Sequence, residues 1–117
     1  RNGLVQKLLP FYRLGYLSLK EIVEKCSVNP AETFGLHQKG NLGIGADADI
    51  TVLDMKRLDA AISFAGGKRI MDHGRVTGSG GTFLTTKAGV KTAQEMQLNY
   101  QIADTQRSAL YGERTAK

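Results

Sequence analysis

The sequence predicts an α+β chain that passes from helices through short strands to a helical tail, and three observations carry that expectation. Apolar residues recur at three- and four-residue spacing from Leu4 to Leu36. Ten of the fourteen glycines fall from Gly35 to Gly81, where they punctuate short β-rich runs. From Thr92 onward Ala, Gln, Met, Leu and Arg dominate without a proline, which favours helix.

Leu4, Val5, Leu8, Leu9, Phe11 and Tyr12 form the stripe of a helix with one buried side. Pro10 either lies in the first turn of a helix that starts near Leu9, where a missing N–H is harmless, or kinks a longer one. Gly15 is placed to end that helix. Ser18 and Glu21 then make a capping box, with Leu17 and Ile22 at the hydrophobic-staple positions. Leu19, Ile22, Val23 and Cys26 are expected to be its buried face. Asn29 is expected to cap a third, short helix, with Pro30 at its first position and Gly35 at its exit.

The stretch from Lys39 to Asp54 reads as turn, then strand. Leu42 and Ile44 alternate with glycines and are expected on one face of a short extended segment. Asp47 and Asp49 also alternate. A metal or acid–base role for them would need further ligands converging from elsewhere, such as His37 and His73, so we read them as acceptors for turn N–H groups. The strand spans Asp49 to Asp54. After a polar loop from Met55 to Asp59, Ala60 to Phe64 and Lys68 to Met71 read as a hairpin about Gly66-Gly67, and Asp72-His73-Gly74 turns again into Arg75 to Thr77. Gly78 to Thr82 lacks the Lys and following helix of a phosphate loop and reads as a flexible connector. Phe83 to Thr86 offers one more short strand, and the tail reads as a single helix fraying after Tyr111.

At 117 residues the chain is at most one ordinary domain, and 41% apolar residues with two prolines suit a folded one. The net charge of +5 is dispersed, with Lys56-Arg57 and Lys68-Arg69 the only adjacent basic pairs, so no nucleic-acid partner is expected. Cys26 alone excludes an internal disulfide and fits a reducing cytoplasm; on an apolar stripe it reads as an inert thiol. No apolar run approaches membrane-spanning length, so no membrane association is expected. The chain begins with Arg1 and not Met, from which a fragment or processed product is expected.

Asn29-Pro30-Ala31, Phe34-Gly35-Leu36, Lys39-Gly40, Leu42, Gly45-Ala46-Asp47-Ala48-Asp49 and Asp54 together resemble the C-terminal stretch of the amidohydrolase superfamily, as in dihydroorotases, hydantoinases and dihydropyrimidinases. Ser18-Leu19, Ile22-Val23, Gly67-Lys68 and Asp72-His73-Gly74 extend the likeness. The resemblance implies a (β/α)₈ barrel with a small β-sandwich built from both chain ends. Residues 1–38 would close the barrel as its last helices, 39–88 would be sandwich strands, and 89–117 a helical tail. It further implies a zinc-type or other divalent metal in the parent enzyme, which would hydrolyse non-peptide C–N bonds in a cyclic amide. The superfamily's His-x-His is missing from this sequence, so no catalytic, cofactor-binding or metal-binding residue is assigned here and these residues alone are expected to be inactive. The expected partner is the N-terminal part of the same enzyme or a second copy joined through sheet edges. A small α+β binding or assembly module, and a deacetylase or deaminase of the same superfamily, are the competing expectations.

Overall fold

The computed structural model describes residues 3–108. Helix α1 spans Leu4–Arg13 with Pro10 in its interior, so it does not start near Leu9. Gln6 accepts from the Gly3 N–H and donates to the Asp59 carboxylate, which ties the start of α1 to the sheet. Leu9 is completely buried, whereas Leu4, Phe11 and Tyr12 are exposed.

The Ser18–Glu21 capping box forms as expected, with Glu21 N–H donating to Ser18 Oγ at 3.2 Å and Ser18 N–H to the Glu21 carboxylate at 2.7 Å. Helix α2, Leu19–Val23, does not then stop. It continues through one π-helical turn, Glu24–Val28, into α3, Asn29–Thr33. Asn29 is therefore no cap. Its backbone is helical and its N–H reaches back to the Glu24 carbonyl. The π turn lets a continuous helix carry Pro30, because a widened ladder needs no N–H from Pro30 and relieves its ring of the preceding carbonyls.

Four strands form an antiparallel sheet in sequence order: β1 Ile50–Asp54, β2 Asp59–Ala65, β3 Lys68–Asp72 and β4 Arg75–Val76. Gly66 and Gly67 both have positive φ, as do His73 and Gly74, so both tight hairpins twist with their strands. Two bulges interrupt the register. One falls at Ala61, whose carbonyl accepts from His73 N–H at 2.6 Å; the other falls at Ile70, whose carbonyl accepts from Thr77 N–H at 2.9 Å.

The single tail helix is not what forms. Helix α4 covers only Val90–Glu95, preceded by a 3₁₀ turn at Lys87–Gly89, and strand β6, Tyr100–Ile102, pairs parallel with β5, Phe83–Thr85. The helix is stopped by a Schellman closure, in which Leu98 N–H reaches Ala93 O and Gln97 N–H reaches Gln94 O, with Gln97 left-handed. A 3₁₀ turn at Thr105–Arg107 follows; the expectation for Ala109 to Tyr111 lies outside the described residues. The tail returns to the end of α3, where a Cβ on Gly35 would sit 2.6 Å from Asp104 O.

The core is thin. Among the described residues only Leu9, Ile22, Ala31 and Ala93 are buried apolar side chains. Leu19 and Val23, expected to face inward, are exposed, as is Phe34, and among the described residues β1 has a neighbour on one side only.

Candidate functional site

Between the 19–33 helix and the β1–β2 part of the sheet lies a groove of about 760 Å³. Ile22, Cys26 and Ala31 form its helical wall, and Ile50, Leu53 and Phe64 its sheet wall. Its rim is polar where residues 39–49 cross from helix to strand.

One ammonium ties the two ends of that crossing together. Lys39 Nζ lies 2.8 Å from Asp47 Oδ2 and also pairs with Asp49 Oδ2. The other Asp49 oxygen accepts from Gly66 N–H at 2.8 Å, and Gly67 N–H donates to Ala48 O at 2.9 Å. The tip of the β2–β3 hairpin is thereby fastened to the Gly45–Asp49 run. The Lys39 hydrogen bond, and after it the Gly66 N–H, hold the Asp49 carboxyl below the usual carboxylate range. The two carboxylates in turn raise the Lys39 ammonium above its ordinary value.

Reading Asp49 as a turn acceptor thus agrees with its contact to Gly66. Sequence reasoning missed Lys39 as the partner of both carboxylates. The available signal was the spacing: two carboxylates on one side of an extended run suit a cation returning from the start of the same loop. Gly40 makes the close approach possible, since a Cβ there would lie 2.6 Å from Ser27 O and φ is +73°.

Beyond Gly40 the strap departs from expectation. Asn41 turns it back on itself, donating to the His37 and Lys39 carbonyls and accepting from Gly43 N–H at 3.0 Å. Residues 44 and 45 form a turn, so Leu42 and Ile44 do not share the face of an extended segment; Leu42 is 81% exposed and Ile44 fully so.

The remaining candidates separate from one another. His37 lies in a turn, and His73 pairs with Asp72, which also faces Arg69 at 3.2 Å. Neither histidine is paired with Asp47 or Asp49, and among the described residues no three His, Cys, Asp or Glu side chains gather as metal ligands would. Burial pushes the Cys26 thiol up, away from the reactive thiolate. Gly78 to Thr82 is an exposed connector that touches the hairpin at Gly80, where a Cβ would stand 2.8 Å from the Ala65 Cβ. No helix of the described residues is long and apolar enough to cross a membrane.

Residues 2–82 match the amidohydrolase family. The dihydroorotase of Pyrococcus furiosus is 45% identical over 53 residues, which are 45% of this chain and 13% of that protein. The dihydroorotase of Archaeoglobus fulgidus is 42% identical over 45 residues, 38% of this chain and 11% of its own length. That of Syntrophus aciditrophicus is 58% identical over 40 residues, 34% of this chain and 9% of its own. The matched stretch therefore spans about a tenth of each relative's length. No solved structure matches.

Proposed function

This chain belongs to the amidohydrolase family, and from that premise we propose that it is the C-terminal part of a metal-dependent hydrolase acting on a cyclic amide of the dihydroorotate type. The observation that carries the reading is an incomplete scaffold joined to a family match: among the described residues, four buried apolar side chains, a β1 paired on one side and an apolar groove lined by β1 and β2. Such a scaffold suits a unit completed by more chain. In this reading 1–38 closes a (β/α)₈ barrel and 39–88 gives strands to a small sandwich, while 89–117 follows as a tail. The completing partner is the N-terminal part of the same polypeptide or, failing that, a second copy across the free edge. A reducing cytoplasm is the proposed compartment, consistent with the lone thiol of Cys26.

The reaction is hydrolytic opening of a ring: the carbonyl C–N bond breaks, the carbonyl carbon gains hydroxyl from water and the nitrogen gains the proton. The divalent metal this chemistry uses supplies Lewis-acid activation when bound. The described residues do not fit it, since they offer no convergent ligand set, and no step is assigned to them. Their part is to fix the scaffold. Deaminase and deacetylase activities rank below, because the relatives described above carry the name dihydroorotase. A binding module is the second reading, favoured by a groove of ligand-pocket size.

The test is ring-opening of dihydroorotate by the full reading frame that contains these residues, with divalent metal present or chelated, beside residues 1–117 alone. Metal-dependent turnover by the full product and none by the 117 residues is expected. Turnover by residues 1–117 alone, or none by the metal-loaded full product, overturns the proposal.

A further inference from the structure

Residues 40–46 leave and re-enter the molecule at nearly the same place. Lys39 pairs with Asp47 and Asp49 across the base, and Asp47 N–H donates to Gln38 O at 2.8 Å. The strap so closed forms part of the groove's rim: Leu42 lines the mouth of the groove but is 81% exposed, and Ile44 stands fully in solvent, beside apolar walls that include Ile22 and Phe64. Gly43 and Gly45 flank Ile44 and supply the backbone freedom for it to swing. Against that swing stand the two charge-assisted hydrogen bonds to Lys39 and the neutral ones that Asn41 makes with the His37 and Lys39 carbonyls and with Gly43 N–H; favouring it is the burial of two exposed aliphatic side chains.

We propose that Lys39 is an ionic latch, and that residues 40–46 are a two-position strap that closes over the groove, carrying Leu42 and Ile44 onto Phe64, when the latch is released. Release leaves Asp47 and Asp49 as like charges two residues apart and loosens the hold of Asp49 on Gly66 N–H, while Gly67 N–H still donates to Ala48 O. The closed strap fills the groove, so the latch decides whether that surface is available. This inference stands on the geometry of the strap and does not depend on the reaction proposed above.

The test is a Lys39→Met variant of the 117-residue chain, followed by methyl–aromatic nuclear Overhauser contacts and amide exchange. Contacts from the Leu42 and Ile44 methyls to the Phe64 ring are expected to be absent in the parent and present in the variant, with Gly66 N–H exchanging about tenfold faster. Exchange at Ile22 N–H, which bonds Ser18 O, should not change. Should the variant fail to fold, the parent sequence in about 1 M NaCl, where charge screening is short-ranged, reports the same release. If Leu42 and Ile44 stay in solvent although Gly66 is released, or if neither variant nor salt moves the strap, the latch does not exist.

Discussion

In the four-stranded sheet every strand turns back on its neighbour within four residues or fewer, whereas β5 and β6 run parallel and are joined across residues 86–99, including α4. The first sheet is local. Its pairings are set by turns whose residues sit between the strands, and both tight turns use positive-φ pairs. The second sheet needs a crossover, and its register follows from where α4 ends and how the tail lands on α3. It also begins at Phe83, just past the residues that match the amidohydrolase family. A pattern shared with relatives thus covers the part whose pairing is local, while the part outside the match is held by a few long-range contacts.

The sharpest way to separate the two is Gly35→Ala. The substitution forces a side chain into a backbone with φ of +67° and places its Cβ 2.6 Å from Asp104 O and 2.8 Å from Arg107 Cβ. Strain and overpacking together should cost about 2–4 kcal/mol. The loss should fall on the tail. Ala103 N–H, bonded to Thr85 O at 2.8 Å, is expected to lose exchange protection while the amides between β2 and β3 keep theirs. Equal loss in both sheets would show them to be one cooperative unit and would end the contrast.

Acid should act on the other sheet. Asp49 is held below the usual carboxylate range by Lys39 and then by Gly66 N–H, so its folded value lies below its unfolded one. Its contribution is present above the ordinary carboxylate range and is lost as pH falls through the depressed value. Lys39 has the opposite sign: raised by Asp47 and Asp49, it contributes below its ordinary value and ceases to only in strong alkali. Between about pH 5 and pH 2 the Gly66 and Gly67 amides should therefore exchange faster than the base-catalysed trend allows, and the β5–β6 amides should not. Both partners are partly exposed, so high salt should reduce the effect.

What the sequence made legible follows the same division. Ser18 with Glu21, Gly15 and Gly35 as helix exits, Gly66-Gly67 and Asp72-His73-Gly74 each carry their chemistry within four residues, and each formed the expected element. Asn29 misled because its capping preference is real but yields to a helix already running from Ser18, which a π turn carries past Pro30. The pairing of Lys39 with both carboxylates was harder to read, because their spacing calls for a cation without naming it and the fold-back that delivers Lys39 turns at Gly40, which is marked only by the lack of a side chain. The exposure of Leu42 and Ile44 was likewise hidden, since periodicity says which residues share a face and not whether anything covers it.

The tail was misread at one residue, and this gives the smallest and most exact comparison. Gln97 closes α4 with φ of +53°, in the same closure that Gly15 and Gly35 make for the earlier helices. A glycine there would have announced the helix end; glutamine, an ordinary helix former, let the pattern run on. Gln97→Gly should relieve the left-handed strain by more than the added unfolded-chain freedom costs, for a net gain of about 0.5–1 kcal/mol, read as a higher urea midpoint at unchanged slope. His73 is its counterpart in the first sheet, also left-handed at φ of +46°, but its ring nitrogen pairs with Asp72. His73→Gly removes that pair along with the strain and should gain less. If the two substitutions gained equally, the Asp72 pairing would contribute nothing, and the turn between β3 and β4 would rest on backbone geometry alone, as the end of α4 does.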